Sequence, residues 1–438
     1  ETNPRGNYMT GHLRSSSFIM VNNVEVYGGY PATLTENNET GRDPIKYPTH
    51  VTGDIADDKY INNVHHLVRF GDVQNAVFDG FRLYEGNAAS TAISTASSRH
   101  GGGVLVYTTA NDKTCTNNVL RNCVIANCSA LQGAGIYVTG LGQDWENDPH
   151  RKVSLTVENC IIHNNTSIDA TPSAVCARGS NTTLTLNHCT VRGNVGYGVA
   201  ATENAKVTMN NSVVHANAKV AIEEVATLAT DASNVLTLYT NGTGTITGDY
   251  NLLDAGNSTT LPTGGANNQT ILTYESGAAN YPQFVNPTRN VGHSEEVDNT
   301  IYGGYPNFMP TNISPLVNAA NSNDTNYNSA TDITANHTRN YGGLPDVGAV
   351  ENTDLPEGGK VIYVREGGTG DGSSWANAMG NVQTAVDEAE RRNKAHSNYN
   401  TTTETKTYYK GANSYNITIT YQGRDIPQKD LVQGWVAA

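Results

Sequence analysis

Three observations predict an all-β chain wound as a right-handed parallel β-helix, with a small C-terminal α/β segment acting as cap of the next module. A six-residue pattern recurs five times, and its spacing shrinks from 42 to 23 residues without loss of frame. Charged residues make up only 16% of the 438 positions, against roughly 25% in ordinary globular proteins. Asn, Thr, Gly and Tyr are abundant, and these suit short strands and tight corners better than long helices.

The pattern reads apolar, polar, polar, small or apolar, variable, aliphatic. It begins with Phe78-Asp79-Gly80-Phe81-Arg82-Leu83 and returns as Leu120-Arg121-Asn122-Cys123-Val124-Ile125 and Val157-Glu158-Asn159-Cys160-Ile161-Ile162. Leu186-Asn187-His188-Cys189-Thr190-Val191 and Met209-Asn210-Asn211-Ser212-Val213-Val214 complete the set. The polar pair is a corner and its flanks are strands with one buried face, as the period-2 alternation of Leu155 and Val157, then Cys160 and Ile162, requires. A further glycine-marked apolar stretch follows in each unit: Gly133–Tyr137, Ser173–Cys176, Gly196–Ala200 and Lys219–Ile222. Three strands per turn make one coil, and a coil buries its apolar face only by stacking. Uneven spacing then means uneven loops around a constant cross-section. A β-sandwich, with strands every 8–12 residues or so, does not predict identical corners with identical flanks.

Two columns follow from the frame. Cys123, Cys160 and Cys189 should lie one above another as inert packed thiols rather than as reactive or disulfide-bonded groups. Asn165, Asn194 and Asn217 share one position, either as a hydrogen-bonded amide ladder or as solvated turn residues. The six cysteines show no Cys-x-x-Cys spacing, which argues against zinc. Their disulfide state is left open.

A net charge of −14 argues against nucleic acid as a partner. No run of 18 apolar residues spans a membrane. Glu1-Thr2-Asn3-Pro4-Arg5 does not read as a signal peptide, and the chain reads as a fragment or a processed product.

The pattern loosens after about residue 226. Tyr250–Asp254 reads as another coil, Ser314-Pro315-Leu316-Val317 as the start of a later one, and Asp346–Glu351 as the last strand of the stack. The expected domains are a β-helix over 1–352, a linker over 353–360 and the beginning of a following module over 361–438. In the last, Val361–Val364 is a strand, Gly367 to Gly372 a turn, and Val382, Ala385, Val386 and Ala389 recur at helical spacing. A polar loop is expected from about 396 to 416, then a strand ending at Trp435-Val436-Ala437-Ala438.

Tyr363-Val364 with Gly367-Gly368-Thr369-Gly370-Asp371-Gly372-Ser373-Ser374-Trp375-Ala376-Asn377-Ala378 resembles the bacterial choice-of-anchor Q and related right-handed β-helix surface proteins. So do Trp435–Ala438, Val26-Tyr27-Gly28-Gly29-Tyr30, Gly53-Asp54-Ile55 and Asp346–Glu351. In that group the glycine-Trp stretch opens a module, whereas here it stands near the end of the chain. The rotated order is what a tandem array cut within a module would give. The resemblance implies an exported bacterial protein at the cell surface or in an extracellular fibre. Its partners would be neighbouring copies of the module, joined head-to-tail, and host or bacterial surface glycans.

β-Helices also host polysaccharide lyases and glycosidases, which need carboxylates at matching positions. The corner column instead reads Asp79, Arg121, Glu158, Asn187 and Asn210. Asp54, Asp57 and Asp58, with His65 and His66 nearby, form the densest acidic group, and they read as a solvated loop rather than a calcium or acid–base site. His163, His188 and His215 read as solvent-facing corner residues. Asp332, His337 and Arg339 read as structural. Tyr27, Tyr30, Tyr302 and Tyr305, in two Tyr-Gly-Gly-Tyr-Pro segments, could stack on sugars, though Tyr-Gly-Gly reads first as a turn. No catalytic, cofactor-binding or metal-ligating residue is assigned, and no cofactor is expected. The expectation is a structural or adhesive module, with a carbohydrate-binding or polysaccharide-degrading protein as the alternative.

Overall fold

A computed structural model describes residues 13–32, 41–55, 63–89, 99–110, 112–141, 151–169, 171–229, 231–241, 243–255, 262, 265–271, 281–294, 306–311, 314–321, 330–341, 344–353, 364, 367–370, 379–381, 384, 402–410 and 413–421. The chain divides into two compact units, 1–298 with 305–352, and 299–304 with 353–438.

The first unit is a right-handed parallel β-helix of three sheets. The first sheet stacks Phe18–Ile19, Val68–Gly71, Val104–Tyr107, Ile136–Thr139, Ser173–Arg178, Tyr197–Thr202 and Leu238–Thr240. The second stacks Glu25–Tyr27, Val77–Asp79, Thr114–Arg121, Lys152–Glu158, Thr182–Asn187, Lys206–Asn210 and Thr245–Thr247. The third runs through Thr49–Thr52, Phe81–Tyr84, Val124–Ala126, Ile161–His163, Thr190–Arg192, Val213–His215, Leu252–Asp254 and Gln269–Ile271. Every pairing within these sheets is parallel.

Register turns alternation into columns. Val68, Val104, Ile136, Val175, Val199 and Leu238 pair in series along the first sheet and are buried. Phe78, Leu120, Val157, Leu186 and Met209 do the same in the second. Leu83, Ile125, Ile162, Val191, Val214 and Leu253 form the third column. Each fully buried Val, Leu or Ile contributes roughly 1.5–3 kcal/mol, but only because its neighbours above and below remove it from water.

The corner before the third sheet explains the polar pair. Asn122, Asn159, His188, Asn211 and Tyr250 hold φ between 48° and 55°, and Gly80 holds 86° at the same place. That left-handed conformation favours Asn and Gly over other residues. Immediately after the corner, Cys123, Cys160 and Cys189 lie in adjacent layers: the Cys123 amide donates to Cys160 Sγ at 3.4 Å, and the Cys189 amide to Ser212 Oγ at 3.0 Å. All six cysteines are buried and unpaired. Asn165, Asn194 and Asn217 form the ladder: Asn165 Nδ2 donates to Asn194 Oδ1 at 3.0 Å, and Asn194 Nδ2 to Asn217 Oδ1 at 2.8 Å. The solvated alternative is excluded, since each is wholly buried.

Tyr250–Asp254 supplies the expected coil through Leu252–Asp254. Three other expectations are corrected. Lys219–Ile222 is not a strand; Lys219, Val220 and Ala221 are exposed. Short 3-10 turns at Val225–Ala229 and Ala232–Asn234 delay the first-sheet strand to Leu238–Thr240. Ser314–Val317 is a turn, and Asp346–Glu351 is irregular rather than a strand of the stack. Both lie instead against the outward face of the third sheet. There the Gly348 amide donates to the Asn211 carbonyl at 2.8 Å, and the Ala349 amide to Thr190 Oγ1 at 3.1 Å. Gly348 has φ +102°, and a Cβ there would meet Thr190 Oγ1 at 2.9 Å, so the close approach requires glycine.

In the second unit, Thr402–Lys410 and Asn413–Tyr421 form an antiparallel hairpin. This corrects the expected loop over 396–416. Polar composition hid a period-2 alternation of β-branched and aromatic residues (Thr403, Thr405, Thr407 and Tyr409, then Tyr415, Ile417, Ile419 and Tyr421), which favours strands. Of the expected helix, Asn381 and Thr384 are described, and the Asn381 side chain accepts the Thr384 amide at 3.1 Å, an N-cap contact. The remainder of Val382–Ala389 and the Trp435–Ala438 strand lie outside the described residues.

Candidate functional site

Two outward faces of the solenoid carry the polar side chains from which a site could be built. On the third sheet, the outward positions form two columns. One runs through Val124, Ile161, Thr190, Val213 and Leu252; the other through Ala126, His163, Arg192, His215 and Asp254. Both are buried, because the described segments 281–294, 306–311, 314–321, 330–341 and 344–352 lie across them as a strap. Phe284, Phe308, Leu316, Ile333 and Val347 cluster on the first column. On the second, Arg192 Nη1 donates to the Thr288 carbonyl at 2.6 Å and its Nε to His215 Nδ1 at 3.3 Å. The His163 ring packs 4.9 Å from Phe308, and His215 packs edge-on against Tyr281 at 5.3 Å.

His163, His188 and His215 are therefore not solvent-facing; the strap covers them. Burial in a low-dielectric seam disfavours the charged imidazole. It lowers the His163 pKa to about 4 and takes those of His188 and His215 well below the ordinary value, with Arg339 opposing charge on His188 and Arg192 on His215.

The strap's own charges gather at Arg339. Its Nη2 donates to Asn159 Oδ1 at 2.5 Å and to the Ala349 carbonyl at 2.9 Å, and its Nη1 lies 3.7 Å from Glu351 Oε2. Glu351 is buried beside Asp346, and desolvation with that neighbouring charge raises its pKa to about 9. Asp332 accepts the Glu351 amide at 3.1 Å and faces His337 at 3.4 Å. These groups fasten the strap to the solenoid, in keeping with a structural role for Asp332, His337 and Arg339. The composition of the third-sheet columns was the overlooked signal: apolar residues at the "variable" motif position predict a covered face.

The corner column stands in the expected register, Asp79 beside Arg121, then Glu158, Asn187 and Asn210. Asp79 is buried between Arg42 and Arg121, with Arg121 Nε at 2.7 Å. Its charge is neutralised by paired guanidinium groups.

Asp54 is partly exposed, while Asp57 and Asp58 lie outside the described residues, as do Tyr302 and Tyr305. His66 is buried and bonded to the Gly101 carbonyl at 2.9 Å. Tyr27 and Tyr30 flank the Arg42 guanidinium at 5.2 and 6.0 Å. Among the described residues, no group of three or more His, Cys, Asp or Glu is disposed to hold a metal ion. No described helix is long and apolar enough to cross a membrane.

The second sheet presents a different surface. Thr156, Thr185, Thr208 and Thr247 pair in series on its outward side. Where that sheet meets the first, a groove of about 460 Å³ runs across successive coils, with Lys152 and Lys206 in its wall.

Residues 62–242 match the family model described as the right-handed beta helix region. No curated protein matches the chain.

Proposed function

From a chain that carries a right-handed β-helix region, we propose a structural or adhesive module of an extracellular bacterial surface or fibre protein, working by end-to-end association. One observation carries this reading: the first described coil leaves apolar side chains in water. Phe18 is 40% exposed, whereas Val68, its partner in the next layer, is 0% exposed. Ile19 and Val21 are 57% and 60% exposed.

The two ends are complementary in kind. Phe18–Ile19, Glu25–Tyr27 and Thr49–Thr52 form one edge; Leu238–Thr240, Thr245–Thr247 and Gln269–Ile271 form the other. Among the described residues, no strand pairs with either outer edge. All run with the same polarity around the same cross-section, so a second copy would continue the parallel ladders. Unpaired backbone and apolar side chains at a sheet edge favour such pairing. The resemblance to choice-of-anchor Q surface proteins supports the extracellular setting. Neutralisation of Asp79 by two arginines, and the absence of an acidic column at the corners, support a scaffold over a polysaccharide-cleaving enzyme.

The test is oligomeric state against concentration, with electron microscopy of the assembled material. Wild-type protein should form linear oligomers with an axial repeat of one solenoid, and Ile19→Asp with Val21→Asp should abolish them. A wild-type chain that stays monomeric at high concentration would overturn the proposal. So would turnover of a polysaccharide lost on a single Asp or Glu substitution.

A further inference from the structure

The histidines beneath the strap are held neutral by bonds that end on the strap's own backbone. At His188 a chain of contacts fixes which ring nitrogen carries the proton. The Asn321 amide donates to Asn211 Oδ1 at 2.8 Å, which turns Asn211 Nδ2 towards His188 Nε2 at 3.2 Å. Nε2 therefore accepts, and the proton sits on Nδ1, which donates to the Asp346 carbonyl at 3.1 Å. Asn321 and Asp346 both belong to the strap. A second ring proton would have to enter at Nε2, against the amide donor of Asn211. The Gly348 carbonyl beside the ring already accepts from Arg339 Nη1 at 3.0 Å.

At His215 the accepting atom is Nδ1, which takes the Arg192 Nε–H at 3.3 Å, while Arg192 Nη1 holds the Thr288 carbonyl at 2.6 Å. Tyr281 packs edge-on against the same ring. Protonation there would set a cation against a cation. At His163, Asn164 Nδ2 donates to the Asn290 and Gly292 carbonyls at 3.2 and 2.8 Å, so Asn164 Oδ1 is turned to accept from His163 Nδ1 at 2.7 Å. Charge on that ring would face Arg82 and Arg192. The carboxylates of the seam are engaged by other groups. Asp254, beside His215 in the register column, acts on Arg192 and accepts the Ala216 amide at 2.5 Å. Asp346 accepts the Asn318 and Asn352 amides, each at 2.7 Å. Asp332 faces His337 at 3.4 Å, and Glu351 accepts the Asp346 amide at 3.0 Å. Arg339 brings positive charge to His188 from the strap side.

We propose that the strap is an acid-released cover: protonation of His163, His188 and His215 frees it from the third sheet while the coils stay wound, and neutralisation closes it again. The coils outlast the strap because their interior columns are apolar and their ladders are backbone bonds, neither of which takes up a proton. The strap is held instead through imidazoles that can. Once uncovered, the three rings titrate at the ordinary 6.5, whereas the covered His163 stays neutral down to about 4. Opening therefore takes up protons between these values. Glu351 opposes this, because it is protonated under the strap and ionises on release above about 4.5. Asp332 and His337 carry their charges in both states over the same window. The net uptake is about two protons, so the opening constant should rise up to about a hundredfold per pH unit.

The test is amide hydrogen exchange of the intact chain, expressed as protection relative to unfolded peptide, from pH 6.5 down to about 4.5. The Gly292 and Gly348 amides donate to the Gly193 and Asn211 carbonyls of the coils. They should lose protection up to about a hundredfold per pH unit, and returning to neutrality should restore it. The Val104 and Val199 amides, bonded between coils to the Gly135 and Thr237 carbonyls, should stay protected. His188→Asn places at this corner the residue that Asn122, Asn159 and Asn211 already supply with left-handed φ, and it takes no proton. It should make the strap's dependence about tenfold shallower per pH unit. His65→Gln, a histidine also lowered by burial but lying beside His66 and Arg14, should leave the strap's dependence unchanged. Loss of protection in strap and coils together, strap protection independent of pH, or an unchanged slope in His188→Asn would each overturn the cover. The strap lies on the flank of the stack, so Ile19→Asp with Val21→Asp should break assembly and leave this opening as it is. Failure of end-to-end association and failure of the cover are thereby read separately.

Discussion

The second and third sheets share one ladder geometry, yet their outward faces have opposite fates. On the coil holding residues 206–215, Thr208 points outward from the second sheet and is exposed, while Val213 points outward from the third and is 0% exposed. The two positions are five apart in the sequence. The backbone is indifferent to the choice; the outward side chains decide it. Thr, Ser and Lys leave the second sheet in water, whereas Val124, Ile161, Val213 and Leu252 attract the strap. A solenoid therefore builds its interior by repetition and diversifies its faces independently.

The sharpest way to break this comparison is to place the same charge on both faces. Val213→Asp buries an unpaired carboxylate beneath Val347 and its neighbours and should cost more than about 4 kcal/mol. Thr208→Asp should change stability by no more than about 0.5 kcal/mol. Urea midpoints measure both, and similar losses at the two sites would show that the faces are not distinct.

The pH dependence should carry a large contribution from the covered face. His163, His188 and His215 are neutral when folded, so the unfolded chain binds more protons between the folded values and 6.5. Their contribution is complete above pH 6.5 and is lost as pH falls, through about 4 for His163. That one shift is worth on the order of 3 kcal/mol. Glu351 acts with the opposite sign: protonated in the fold, its contribution is present below about pH 4.5 and is lost as pH rises through about 9. Thermal melts should therefore peak near neutrality. His163→Phe should lessen the acid limb, to which His65, His66 and His100, lowered by burial to about 4, 3 and 4, also contribute, and an unchanged limb would remove the seam from the explanation.

A smaller effect is expected inside the stack. Asn194→Ala strands Asn165, whose backbone amide and side chain both donate to Asn194 Oδ1 at 2.9 and 3.0 Å. The loss should be about 1–3 kcal/mol, and Thr208, exposed on the second sheet, should cost far less when replaced in the same way.

The smallest perturbation concerns the thiols. Burial pushes Cys128, Cys176 and Cys189 up to about 12 and Cys115 to about 11, so thiolate is scarce at neutral pH. A thiol reagent should label none of the six in the native protein and all six after denaturation. Rapid native labelling at any one would contradict the packed columns.

Much of the interior was legible in the sequence. The polar-pair corner set the frame, and the paired registers of Phe81, Cys123, Cys160, Cys189 and Ser212 follow from it. The amide column was visible as a position, although its state was not: a wholly buried ladder and a wet turn have the same sequence spacing. The histidines were misjudged because a corner residue is solvent-facing only when nothing lies over it. The hairpin over 402–421 was missed because Thr alternation reads as polar composition unless period 2 is counted.

What the sequence determined by itself is the repeat, since alternation, corner chemistry and apolar columns are local and each coil states them again. What tertiary structure decided is everything that happens outside the coil: the strap over the third sheet, the neutral histidines beneath it and the open groove beside the second. The strap and the histidines beneath it depend on contacts between distant residues, such as Asn164 with Asn290, 126 positions apart, and Asn159 with Arg339, 180 apart. No local pattern encodes a contact of that span, because its free energy arises only once both surfaces exist.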